Sequence, residues 1–376
     1  MGLNIAVTGY FGSGSSAVID LLCEFDCNTT GLPKDIGAFE HTTLYHPGGL
    51  FDLEDKLLLG NDIHRSDEAI RTFKKEMMRL NDNNFGWFGS FREMFGDRFE
   101  IIINKFISDI HPFDIEARYY GQYKAVKFSI IKVALQIAAK ILYGRNIYKW
   151  GRQYVFEPKE SKMISAFPSE AEFYNAASKF ITSYMNLFAE EGKKNTIFDR
   201  LILCHNAYRV PRYFDDSFRL IVLNRDIRDV FVLNKYLWPE INAGTMYPTD
   251  VHVFIDYWRR LRSREKKIDD SRILEVNFED LIYNYEDTVN IIKEHCNLSG
   301  EKWNQYKFFD PRKSIKNTQV YKIRDIWQDE IALIERELSE FIYNFPYEND
   351  TSVNEMFDDS RVVRKLGLIQ RLKGDK

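Results

Sequence analysis

Gly9-Tyr10-Phe11-Gly12-Ser13-Gly14-Ser15-Ser16 sets three glycines and three serines between an apolar run and a helix-like pattern that opens near Ala17. Glycine lets a backbone turn and approach a ligand closely, and the unpaired N–H groups at a helix start face the same point, so the segment suits an anion. The spacing from Gly9 to Gly14, with Ser16 at the hydroxyl position, is that of a Walker loop, but its lysine position is Ser15. That argues against an ATPase or a kinase. A second feature is Arg225, in Asn224-Arg225-Asp226-Ile227-Arg228-Asp229. At the carboxyl end of a sheet strand its guanidinium would fork onto a phosphate. The plainer reading of that cluster is a helix cap with ion pairs through Asp226 and Asp229.

Two residues compete as proton acceptor, Glu40 in Ala38-Phe39-Glu40-His41 and His205 in Leu203-Cys204-His205-Asn206. Each has apolar neighbours that would tune its pKa, and His41 is a third candidate. Asp199-Arg200 resembles a Walker B end, but the run before it, Thr196-Ile197-Phe198, is too short to support that. His64, His111 and His252 stand apart from any Cys or His at ligand spacing, so no metal is expected.

Holding these groups together requires strands that end at one edge. Residues 4–9, 196–199, 218–223 and 273–276 read as strands, with helical patterns after the first, to Tyr236, and over 280–296. Strands alternating with helices predict an α/β fold, a P-loop nucleotide-binding core with a parallel sheet covered on both faces. Residues 65–190 read as a large, chiefly helical insertion between the core segments 1–64 and 191–347. An amphipathic helix is predicted from Trp327 to about Tyr343, and 348–376 reads as a peripheral tail.

On these residues the chain resembles the PAPS-dependent sulfotransferases. The Gly/Ser loop looks like their 5′-phosphosulfate loop, and Val222-Leu223-Asn224-Arg225-Asp226-Ile227-Arg228-Asp229-Val230-Phe231 looks like their second signature. Weaker similarity covers residues 274–281 and Arg312-Lys313-Ser314-Ile315-Lys316-Asn317, leaving the insertion unmatched. The resemblance implies that Ser13, Gly14, Ser15 and Ser16 hold the 5′-phosphosulfate, that Arg225 holds the 3′-phosphate, and that Arg312 and Lys316 close over the nucleotide. Glu40 falls where glycan-modifying members carry a glutamate base, and His205 where cytosolic members carry a histidine. Three positions depart from the pattern: the family's loop lysine falls at Gly12, a serine at Leu233, and the signature proline at Ile227. A cation must then come from elsewhere to stabilise charge on the leaving phosphate. Lys34, Arg65, Lys127, Lys316 or a metal are the candidates, with Lys316 favoured.

The chain has 376 residues, 44% hydrophobic and 29% charged, enough for one large α/β domain with an insertion or for two domains. Its net charge of −4 is unevenly spread: residues 118–162 hold ten Lys/Arg and two acids, a local +8. That stretch, with Tyr143, Tyr148, Trp150 and Tyr154, suits a glycan or glycolipid acceptor or a peripheral membrane contact. Its plainer use is a core-facing helix over 124–143. Nucleic acid is not expected, since the chain is acidic and carries no recognition motif. Four unpaired cysteines and no signal-peptide pattern suggest the cytoplasm. The expectation is transfer of a sulfuryl group from PAPS to an acceptor hydroxyl, leaving PAP. A nucleotide-dependent kinase and a non-catalytic nucleotide-binding or membrane-peripheral protein are the alternatives.

Overall fold

The computed structural model describes residues 2–33, 39–82, 87–117, 161–240 and 244–349, together with 125–126, 134, 138, 140–141, 147–150 and 153–156. In chain order its strands are β1 Asn4–Gly9, β2 Asn28–Thr29, β3 Phe113–Ala117, β4 Ala125–Val126, β5 Ile147–Trp150, β6 Gln153–Phe156, β7 Ser161–Ser165, β8 Asn195–Asp199, β9 Phe218–Asn224 and β10 Ile273–Asn277. The chain divides into two compact units, one of Met1–His46, Leu80–Phe99 and Ser178–Lys376, the other of Pro47–Arg79 and Glu100–Ala177.

The first unit is an α/β fold around a five-stranded sheet of order β10-β9-β1-β8-β2, with every pairing parallel. β1 is buried along nearly its whole length, as its unbroken apolar run demands of a central strand. Ile5 and Val7 pack with Leu21 and Leu22 of the helix Ser15–Leu22 and with Val289 and Ile292 of the helix Tyr285–His295. Register fixes the functional edge: Gly9 is opposite Leu223, Val7 opposite Asp199, and Asn277 opposite Asn224. The carboxyl ends of β1, β8, β9 and β10 therefore lie together. β1 leads outward to β2, β8 returns beside β1, and β9 lies on its other side. Such a reversal opens a crevice at the carboxyl ends.

A second core joins Ile227, Phe231 and Leu237 to Phe254 and Trp258 of the helix Val251–Arg262 and to Ile331 and Ile334 of the helix Gln328–Glu337. The last of these helices stops short of Tyr343, its predicted end, because the chain turns so that the Tyr343 amide reaches the Asp226 carboxylate at 2.9 Å. A third cluster is aromatic, with Phe39, His41, Phe91, Tyr184, Phe188 and Phe198 packed ring to ring.

Residues 65–190, read from sequence as a chiefly helical insertion, carry strands as well, all of them within the second unit. β3 and β7 pair antiparallel, as do β4, β6 and β5. β3 and β7 have five residues each, too few for a period of two to stand out among helices, and a long-range contact pins the pair: Asp67 on the helix Ile63–Asp82 accepts from the Ile164 amide at 2.8 Å. Phe73, Phe106 and Phe173 form this unit's aromatic centre. The predicted helix over 124–143, the basic stretch 118–162 and the tail 348–376 lie largely outside the described residues. Among the described residues no helix is long and apolar enough to cross a membrane.

One buried carboxylate fastens the loop 303–309 to the first unit. Glu24 accepts from Trp303 Nε1 at 2.9 Å and from the amides of Phe308 and Phe309 at 2.9 and 3.0 Å. Glu24→Ala strands three donors and is expected to cost about 3 kcal/mol. Urea denaturation measures this, and a loss below about 1 kcal/mol would show that the loop is held by other contacts.

Candidate functional site at the carboxyl ends of the parallel strands

Gly12 and Gly14 of the loop after β1 have φ of 86° and 83°, a left-handed backbone that favours glycine. Their missing side chains also leave room for rings: a Cβ on Gly14 would lie 2.6 Å from Phe278, and one on Gly12 would lie 3.1 Å from Trp238. Ser13 turns inward. Its side chain fills the space over Gly9, it is 2% exposed, and its Oγ has no hydrogen-bond partner among the described residues. The following helix, Ser15–Leu22, has no side-chain cap and no acid in its first turn, which leaves its N–H groups and positive end open to an anion. Gly12, Gly14, Ser15 and Ser16 line a cavity of about 730 Å³, whereas Ser13, turned inward, is not part of its wall.

Arg225 emerges from β9 into the wall of that cavity. It donates through Nη1 to the Gly12 carbonyl at 2.8 Å and through Nη2 to the Asn317 carbonyl, and it lies 4.9 Å over the Phe278 ring. Its Nε is buried without a partner among the described residues. The capping reading of this cluster holds at the neighbouring residues. Asp226 caps the helix Ile227–Val232 and binds Arg228 in bidentate fashion, and Asp229 accepts from the Gln319 and Tyr321 amides. Glu279 accepts from the Asp226 amide at 2.9 Å, and burial pushes its carboxyl up to about 8.

The opposite wall comes from β8. A lone parallel bridge joins Glu40 to Asp199, with the His41 amide donating to the Asp199 carbonyl at 3.0 Å. The Arg200 amide continues the sheet by donating to the Val7 carbonyl. Its guanidinium lies 3.4 Å from the Glu40 carboxylate and 4.0 Å over the Phe11 ring. Burial, with the Glu40 charge nearby, pushes the Asp199 carboxyl up to about 7 against the pull of Arg200. Glu40, Asp199 and Arg200 all line the cavity.

Of the residues read from sequence, Gly12, Gly14, Ser15, Ser16, Glu40, Arg225 and Lys316 line this one cavity. His205 does not. It is half-buried in the short helix Cys204–Arg209, and burial lowers its pKa. Arg312 also stays out of the wall, its largely exposed side chain paired with Asp310 at 2.9 Å and stacked on Tyr306. His41 is a core residue: its Nδ1 lies 2.8 Å from the Tyr184 hydroxyl, and burial drives its pKa down to about 3. Of the other candidate cations, Arg65 belongs to the second unit, and Lys34 and Lys127 lie outside the described residues. Leu233 lines the cavity where the resemblance calls for a serine. Asp199 and Arg200 are the residues passed over; their one signal was their place at the end of a short strand.

No family model matches the chain. No curated protein matches it either. Among solved structures it is similar to sulfotransferase STF9 from Mycobacterium avium, 12% identical with a TM-score of 0.33 over 93% of this chain and 78% of that one. It is also similar to the sulfotransferase domain of the Synechococcus PCC 7002 olefin synthase, 13% identical with a TM-score of 0.32 over 92% and 95%. The sulfotransferase domain from the curacin biosynthetic pathway is 11% identical with a TM-score of 0.30 over 97% of each chain.

The raised Asp199 carboxyl has a thermodynamic consequence. With a folded pKa near 7 and an unfolded value near 3.8, the native state holds the extra proton between them, so this group's contribution to stability falls as pH rises through that window. Asp199→Asn is expected to remove the fall, gaining on the wild type by a few kcal/mol, in order of magnitude, between pH 5 and pH 8. Urea denaturation at the two pH values checks this; parallel profiles would show that Asp199 ionises normally.

Proposed function

We propose that this cavity binds PAPS and transfers its sulfuryl group to an acceptor hydroxyl. The observation that carries the reading is one cavity lined by an uncapped Gly/Ser helix start, a buried arginine from the next strand end and a carboxylate opposite them. The residues suit the donor: the helix start offers N–H groups to a 5′-phosphosulfate, and Arg225, in the cavity wall, offers its positive charge to a 3′-phosphate. Bound there, PAPS supplies the group: the acceptor oxygen–sulfur bond forms, the sulfur–oxygen bond to the nucleotide phosphate breaks, and its electron pair leaves on that oxygen in PAP.

Glu40 takes the hydroxyl proton as the oxygen attacks. We assign this role to Glu40 rather than His205 because only Glu40 lines the cavity. Lys316, on the segment that closes one side, adds positive charge to the wall. The acceptor is a glycan or glycolipid in this reading. Phe11, Tyr306 and Phe308 stand exposed on the cavity wall, and aromatic faces of this kind stack on sugar rings.

Asp199 favours a second reading, phosphoryl transfer from a nucleotide with Mg²⁺, because it is an acid at the end of the strand beside β1. The loop has Ser15 where that chemistry uses lysine. Thermal unfolding with PAP, ADP, or ATP plus Mg²⁺ separates the two, since a ligand at 100 times its dissociation constant adds about 2.7 kcal/mol. Selective stabilisation by PAP is expected, and stabilisation only by ATP with Mg²⁺ would replace sulfuryl with phosphoryl transfer. Transfer of labelled sulfate from PAPS to a panel of oligosaccharides then tests the base. Glu40→Gln is expected to lose about 10²- to 10⁴-fold in kcat with PAP binding kept, and His205→Ala to retain turnover. Full activity in Glu40→Gln would remove Glu40 from the mechanism.

A further inference from the structure

Sulfuryl transfer builds negative charge on the bridging oxygen and the departing phosphate, and a fixed cation facing that charge lowers the barrier. The loop has glycine, residue 12, where the resemblance places a lysine, so the loop itself contributes no side-chain cation. We infer that Arg200 is the catalytic cation, its guanidinium standing in for the missing loop lysine. This rests on the sulfuryl-transfer reading of the cavity.

Three observations support the assignment. The Arg200 guanidinium lies 4.0 Å over the ring of Phe11, the residue next to Gly12, and all three residues line the same cavity. Arg200 is pinned at both ends. Its amide extends the sheet onto the Val7 carbonyl, its φ is 54°, a left-handed value unusual for arginine, and its guanidinium is bracketed by Phe11 and by Glu40 at 3.4 Å. Its side chain is 11% exposed and lines the cavity, so part of the guanidinium faces the space an oxyanion would enter.

Arg200 thus serves the step from beside the base. Glu40 receives the acceptor's proton, while Arg200 meets the electron pair that stays on the nucleotide's oxygen and the charge on the sulfuryl oxygens. Lys316 is half-buried in the one-turn helix Ile315–Asn317 and has no comparable bracket among the described residues. A purely positioning role for Arg200, holding Glu40 in place, would leave its removal without effect on the binding of an anion that mimics the transferring group.

The test uses the full chain and two probes, PAP and orthovanadate, with binding read by calorimetry. In the wild type, PAP is expected to bind, and vanadate to bind the PAP complex at least about 10-fold tighter than the free protein, as a mimic of the transferring group. Arg200→Ala is expected to weaken PAP, whose 5′-phosphate carries the charge Arg200 meets, by about 10-fold, and to weaken vanadate binding to the PAP complex by about a further 10²-fold, with Arg200→Lys recovering part of both. Equal vanadate affinity in Arg200→Ala and wild type overturns the inference and leaves the sulfuryl-transfer reading intact. Failure of the wild type to bind PAP overturns that reading and the inference with it. Should Arg200→Ala not fold, Arg200→Gln retains much of the side-chain stem over Phe11 and is held to the same outcomes.

Discussion

The geometry of the cavity depends on one buried guanidinium. An arginine guanidinium is a fixed positive charge, so inside a protein it must be met by acceptors. Arg225 meets two backbone carbonyls from distant parts of the chain, Gly12 and Asn317, with the Phe278 ring beneath it. The loop after β1, the end of β9 and the 310–317 segment are thereby joined at a single point. Asp229, one helical turn after Arg225, extends the join by accepting the Gln319 and Tyr321 amides. Arg228, the second arginine of the same motif, has a different partner set. Asp226 and Glu335 bind it, and the Tyr321 ring lies 4.1 Å from it, so it ties the helix start to the C-terminal part of the unit. Two arginines three residues apart thus divide between a cavity wall and a core.

Burial sets the electrostatics around that join. Asp229 and Glu279, both close to Arg225, have carboxyls pushed upward by loss of solvent, and so does Asp199 on the other side of β1. Holding carboxyls toward their neutral form lowers the negative potential around the cavity. It also concentrates the fold's polar cost near the cavity, a pattern common at sites where function rather than stability selects the residues. The glycines show the same trade. Gly12 and Gly14 accept left-handed backbone so that Trp238 and Phe278 can pack against the loop and hold its N–H groups in place.

The two walls of the cavity reach the same place by different means. The loop and Arg225 follow contiguous strand-to-helix connections, in which the end of a strand delivers the residue directly. Glu40 belongs to no extended strand. It is held by its amide to the Trp87 carbonyl and by its bridge to Asp199. That bridge in turn leans on the buried His41, which the aromatic cluster keeps neutral.

Local patterns determined much of this fold from the sequence alone. Buried parallel strands must be continuous apolar runs, so β1, β8, β9 and β10 were legible to within about one residue. The Gly/Ser loop announced its left-handed turn through its composition, because few other residues tolerate that backbone. Arg225 was legible because it directly follows a strand, whose end is fixed by the sheet. The short strands β3 and β7 were not, since five residues carry too little periodicity and their pairing runs from Ala117 opposite Ser161 to Phe113 opposite Ser165, far apart in the chain. Nor did the sequence choose between Glu40 and His205, which have similar surroundings along the chain. Only the parallel register, with Asp199 opposite Val7 and a bridge from Asp199 to Glu40, brings one of them to the loop. Arg200 shows the limit most plainly: its significance lies in the ring of Phe11, 189 residues earlier, and proximity across the chain is decided by the tertiary fold.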